Sequence, residues 1–183
     1  MSHRNSIVLA FALAGALSLT GVGVPAALAA DTGAFGQVNA AAPLRADADG
    51  FTIDDGVLVS YTGSATQVRI PEGVTEISTN AFSGAQVTSV WIPASVRAID
   101  DSAFAGQPLT QVTFQDEDAH PSQLETIGER AFAYTPLESV TLPRSLKTAG
   151  LETFSDMDKL RSVHVGPNVQ ADGLFAAFAR TPL

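Results

Sequence analysis

A chain of 183 residues has room for one domain of moderate size and little more. Its formal net charge of -9 and the lack of any Lys/Arg cluster argue against a nucleic-acid partner, because phosphate binding requires clustered cations. With no cysteine there is no disulfide, no thiolate zinc site, no Cys nucleophile and no anchor through a lipidated Cys, so stability rests on packing alone.

Residues 1–29 read as a secretory signal. His3 and Arg4 precede an apolar run from Ile7 to Leu19, Gly21, Gly23 and Pro25 break it, and Ala27-Leu28-Ala29 fits a small-x-small cleavage site after Ala29. The run is short for a membrane span of ~20 residues, which disfavours an uncleaved anchor and leaves no span in the mature chain. Ala, Asp and Gly dominate residues 30–50 without a sustained period, as in a flexible linker. Residues 51–66 read as an N-terminal cap. Two β-prone runs flank Asp55-Gly56, a strong hairpin signal because Gly accepts positive φ without penalty.

A repeat occupies residues 67–183. Its first inward strand residues are Val68, Val90, Val112, Val140 and Val163, at steps of 22, 22, 28 and 23. An apolar residue follows two positions on (Ile70, Ile92, Phe114, Leu142, Val165), and Val87, Leu109, Leu137 and Leu160 sit three positions before four of them. Pro71, Pro93 and Pro143 come next and stop the strand, since proline cannot donate to a ladder. Val74, Val96, Leu146 and Val169 share a later place, Ile77 and Ile99 the next, and Ala81-Phe82, Ala103-Phe104, Ala131-Phe132 and Thr153-Phe154 the last. Helix-starting residues before each Phe, such as Ser78 to Asn80 and Asp100 to Ser102, predict a short helical turn around it. Each coil is thus expected to run strand, turn, short extended segment and helical turn. Coils of this kind fold only when stacked, because each shares its apolar faces with its neighbours.

The third copy carries an insertion, Q-D-E-D-A-H-P-S-Q, between Phe114 and Leu124. Asp116, Glu117, Asp118 and His120 could be read as a metal site. A solvated acidic loop is the better reading, because a calcium loop needs a longer alternating pattern with a Gly turn. Near the end, A-F-A-R-T-P-L from Ala177 repeats A-F-A-Y-T-P-L from Ala131 with one change, which reads as a last coil cut short.

The frame V-x-I-P-x-x-V-x-x-I-x-x-x-A-F-x-G, clearest from Val68 to Gly84 and from Val90 to Gly106, resembles the BspA-like class of leucine-rich repeats over roughly residues 51–183. The resemblance implies a mainly β leucine-rich-repeat solenoid of about five coils, with a parallel β-sheet on one face, short extended and helical segments on the other, and a hairpin cap. It also implies a bacterial surface setting and an adhesion-type role.

No catalytic signature is present: no G-x-S-x-G, H-E-x-x-H, Walker loop or dinucleotide fingerprint. Neither an enzyme nor a cofactor is expected, and a hydrolase using His120 or His164 has nothing to support it. The outward strand positions are the better site. Alternate strand residues face away from the core, which places Arg69, Trp91, Thr113, Thr141 and His164 in one row and Gln67, Ser89, Gln111, Ser139 and Ser162 beside it. Five stacked strands would form a continuous ladder about 20 Å long. Trp91 next to Arg69 is a common hot-spot pairing, although a Trp there can equally pack on its neighbours' stems. The expected function is a secreted or cell-surface protein binding a protein or glycan on this face; the alternative is a structural spacer presenting a further domain.

Overall fold

The computed structural model describes residues 48–169 and 176–182. The expected signal segment and nearly all of the expected linker lie outside the described residues. The first elements among the described residues are the antiparallel hairpin of β1 (Phe51–Asp54) and β2 (Val57–Tyr61). Its turn places Asp55 at φ 44° and Gly56 at φ 81°, the conformation for which Asp-Gly is suited. Thr62 N–H donates to the Gly50 carbonyl at 2.9 Å. There the two backbones approach so closely that a Cβ on Gly50 (φ 90°) would lie 2.4 Å from the Gly63 nitrogen.

The repeats build two faces. One carries the strands predicted from V-x-I: β3 (Gln67–Arg69), β5 (Ser89–Ile92), β7 (Gln111–Phe114), β9 (Ser139–Thr141) and β11 (Ser162–His164). The other carries four two-residue strands: β4 (Glu76–Ile77), β6 (Ala98–Ile99), β8 (Thr126–Ile127) and β10 (Thr148–Ala149). These short strands pair in parallel, with Ile77, Ile99, Ile127 and Ala149 in register, and Leu58 of β2 pairs with Ile77. The hairpin therefore continues this second sheet, giving the order β1-β2-β4-β6-β8-β10.

The helical turn expected around each Phe does not form in the first four segments, which are non-helical turns. Asn80, Ser102, Arg130 and Glu152 adopt left-handed φ values of 57°, 56°, 53° and 55°, and this conformation interrupts any right-handed helix. The Phe amides point to the next coil. Phe82, Phe104, Phe132 and Phe154 donate to the carbonyls of Ala103, Ala131, Thr153 and Ala177 at 3.1, 2.8, 2.9 and 2.7 Å. Bonds between coils have taken the place of helical ones. Tyr61 N–H donates to Ala81 in the same manner, so the hairpin supplies one more residue to this column than the sequence frame suggests.

The core follows the same column. Phe82, Phe104, Phe132 and Phe154 are fully buried, and a continuous file of rings runs Phe51, Tyr61, Phe82, Phe104, Phe132, Phe154, Phe178 with successive centroids 4.5–5.6 Å apart. Ala81, Ala103 and Ala131 are buried beside them. Phe178, in the segment that repeats Ala131 to Leu137, takes the matching place against Phe154.

Candidate functional site

On the strand face the predicted outward residues align, but in two groups. Arg69, Trp91 and Thr113 are in register across β3, β5 and β7, and Thr141 is in register with His164 across β9 and β11. The second row divides in the same way, with Gln67, Ser89 and Gln111 in one group and Ser139 and Ser162 in the other. The single ladder of five strands expected from the sequence is therefore corrected to one of three and one of two.

Two changes coincide with the break: the insertion between β7 and β9, and a change in the column that precedes each strand. Thr88 and Thr110 each donate a side-chain hydroxyl to the carbonyl of the threonine one coil earlier, Thr66 and Thr88 respectively, both at 3.1 Å. Their amides donate to the same carbonyls at 2.7 and 2.8 Å. In the fourth copy the column holds Glu138, which has no hydroxyl, and among the described residues no hydrogen bond reaches the Thr110 carbonyl from it. The ladder resumes one coil later, where Arg161 N–H donates to the Glu138 carbonyl at 2.8 Å. The break also follows the insertion, which lengthens this step to 28 residues. The change from Thr to Glu in this column was the available sequence signal.

The insertion is fastened rather than loose. The Asp116 carboxylate accepts from Ser122 N–H at 3.2 Å and from Arg144 N–H at 3.0 Å, with the Arg144 guanidinium 3.4 Å away. Burial acts to raise the Asp116 carboxyl, but these donors outweigh it and hold the group below its ordinary range. Arg144 also reaches Asp118 at 3.2 Å, and Glu117 bridges His120 through the backbone. After the loop, Leu124 recovers the buried place held by Val96 and Leu146. The role of Asp116 was missed in the sequence, because its partner Arg144 lies 28 residues away.

Each group has its own character. The Arg69 guanidinium carbon lies 3.5 Å from the centroid of the Trp91 ring, within cation–π range. Trp91 is half-buried by this packing, whereas Arg69, Thr113, Thr141 and His164 are exposed. A cleft of about 340 Å³ opens where β7 and β9 part, lined by Gln111, Val112, Thr113, Phe114, Ser139 and Thr141 among others. Val112 and Phe114 are only half-buried there, although Val68, Val90, Ile70, Ile92, Val140 and Leu142, their counterparts in the first, second and fourth coils, are buried; in the last coil Val163 is half-buried and Val165 exposed. Among the described residues no group of three or more His, Asp or Glu could hold a metal ion, and no helix is long and apolar enough to cross a membrane.

The BspA type leucine rich repeat family matches residues 52–178 in six copies. The chain belongs to that family. The sixth copy, beyond the five read from the strand frame, agrees with the place of Tyr61 in the Phe column. Solved structures similar to this BspA-type array include a leucine-rich repeat protein from Bacteroides capillosus, at 29% identity and a TM-score of 0.50, covering 63% of this chain and 91% of that one. A leucine rich cell surface protein from Faecalibacterium prausnitzii is 24% identical with a TM-score of 0.47, over 68% of this chain and 41% of that one. The pneumococcal vaccine antigen PcpA is 24% identical with a TM-score of 0.46, over 64% of this chain and 36% of that one. The BspA-type array thus spans well under half the length of the last two proteins. No curated protein sequence matches.

Proposed function

We propose that this chain is a non-catalytic binding module, exported to the cell surface or the medium, that takes a protein or glycan partner on its strand face. The observation that carries this reading is the Arg69–Trp91 pair, set in register with Thr113 on a parallel sheet in which the inward Val68, Val90 and Ile92 are buried. A rigid sheet presents these side chains with little ordering cost, which favours association. Trp and Arg are also the residue types that dominate binding energy at interfaces. Export is supported by the signal-like composition of residues 1–29, and a surface setting by the similarity to a leucine rich cell surface protein. The partner reads as neither nucleic acid nor membrane, given the net charge of -9.

The test is binding of the labelled protein to bacterial and host cells and to extracellular matrix. Trp91→Ala and Arg69→Ala are each expected to weaken binding at least ~10-fold while leaving the fold intact. Unchanged binding in both variants would remove this face from consideration.

A further inference from the structure

The cleft between β7 and β9 sets two strand edges face to face without a ladder between them. In a parallel ladder, the backbone groups of alternate residues point to opposite neighbours. Ile70 N–H donates to Trp91, Gln115 N–H to Ile92, and Leu142 N–H to His164. By that alternation the N–H and C=O groups of Val112 and Phe114 face β9, and those of Ser139 and Thr141 face β7. Among the described residues no hydrogen bond joins the two strands, so these groups meet across the cleft without a ladder. The hydroxyls of Thr113, Ser139 and Thr141 and the Gln111 amide make no side-chain hydrogen bond among the described residues.

From this chemistry we propose that the cleft is a binding site for a neutral saccharide unit, a proposal that rests on the strand face being the binding surface. Hydroxyls, an amide and unladdered backbone groups offer donors and acceptors in close alternation, as a ring bearing several hydroxyls requires. Half-buried Val112 and Phe114 supply an apolar patch for the C–H face of such a ring. The only ionisable lining residue, Asp116, spends its carboxylate on Ser122 and Arg144, so no free charge is available to pair with an ionic ligand. Cα atoms of β7 and β9 come within 8 Å, so the ring would sit over the mouth of the cleft, whereas an inserted peptide strand would need the flanking strands about 9.5 Å apart. The volume of about 340 Å³ lies at the small end of the range for ligand clefts, roughly 300–1,000 Å³.

The test is amide chemical-shift mapping of the full chain with maltotriose, cellotriose and tri-N-acetylchitotriose, each up to saturating concentration. At least one is expected to move the amides of Val112, Phe114, Ser139 and Thr141. Thr113→Val and Thr141→Val, which keep the side-chain shape, are each expected to weaken that sugar about 5- to 10-fold. Thr113→Ser, which keeps the hydroxyl, should bind normally and controls for folding. If none of the three sugars moves those amides, or if shifts centre on Arg69 and Trp91 instead, the proposal is overturned. A Thr/Val peptide that moves the cleft amides when the sugars do not also overturns it. Cell binding that depends on Trp91 could survive any of these failures, so the two readings fail separately.

Discussion

Non-glycine residues with positive φ recur at two places in this chain, and each place aligns from coil to coil. One column holds Asn80, Ser102, Arg130 and Glu152, and the other holds Gly84, Gly106, Tyr134, Asp156 and Arg180. In the later coils these positions carry side chains that reach sideways. Arg130 meets Glu152 at 2.6 Å, and Arg180 meets Asp156 through two bonds of 2.8 Å. The Arg180 guanidinium holds the Asp156 carboxyl below its ordinary range. The Ser102 side chain makes no such contact among the described residues, so glycine would hold the same left-handed backbone, with its 2.8 Å N–H bond to the Glu129 carbonyl, at less strain. Ser102→Gly is therefore expected to raise stability by about 0.5–1 kcal/mol, after the greater unfolded freedom of glycine is counted, as measured by the urea midpoint. The same residues explain the expected helical turns that did not form. Ser, Asp and Asn favour helix starts, yet Asn and Asp are also among the few that enter the left-handed region readily. Composition alone could not separate the two outcomes.

At the scale of the element, the insertion and the break beside it behave differently with pH and with sequence. Asp116 is held below its ordinary pKa when folded and returns to about 3.9 when unfolded. A depressed carboxyl contributes stability that is complete above the unfolded value and is lost as pH falls through the folded one. Acidification below about pH 4 should therefore loosen the loop from Arg144. Asp116→Asn should cost about 1 kcal/mol at pH 7 and flatten the stability–pH curve below pH 4, as followed by chemical denaturation. The break itself coincides with Glu138 in the threonine column. Glu138→Thr would restore the hydroxyl that Thr88 and Thr110 use, and is expected to add about 1 kcal/mol and to slow amide exchange at Ser139 and Thr141. Unchanged exchange would mean that the insertion alone keeps the strands apart. The V-x-I-P frame made β3, β5, β7, β9 and β11 legible, because Val and Ile mark strands and Pro ends them. The two-residue strands of the second sheet were read only as a short extended segment, since Glu76–Ile77 is too short to display a period.

Across the whole molecule the order of the coils follows from one file of aromatic rings, from Phe51 to Phe178, and from one sheet, from β1 to β10. Stacked offset rings contribute about 0.5–1.5 kcal/mol per pair beyond the area they bury, and in a solenoid each coil packs chiefly on its neighbours. The fold could be read from the repeat because every coil repeats the same inward residues. The candidate site could be read only in part. Arg69, Trp91, Thr113, Thr141 and His164 were placed on the correct face by alternation, but their division into two groups depends on hydrogen bonds between coils, which no single coil's sequence contains.

That division gives the array a mechanical asymmetry at its third coil. The β6-β8-β10 ladder and the pair Phe104–Phe132 pass the insertion without interruption, while the opposite sheet stops between β7 and β9. A stack tied on one side and untied on the other flexes like a bound book at the page where it falls open. Bending of the strand face is expected to concentrate at that seam, and a ligand seated there would set the angle between the two halves.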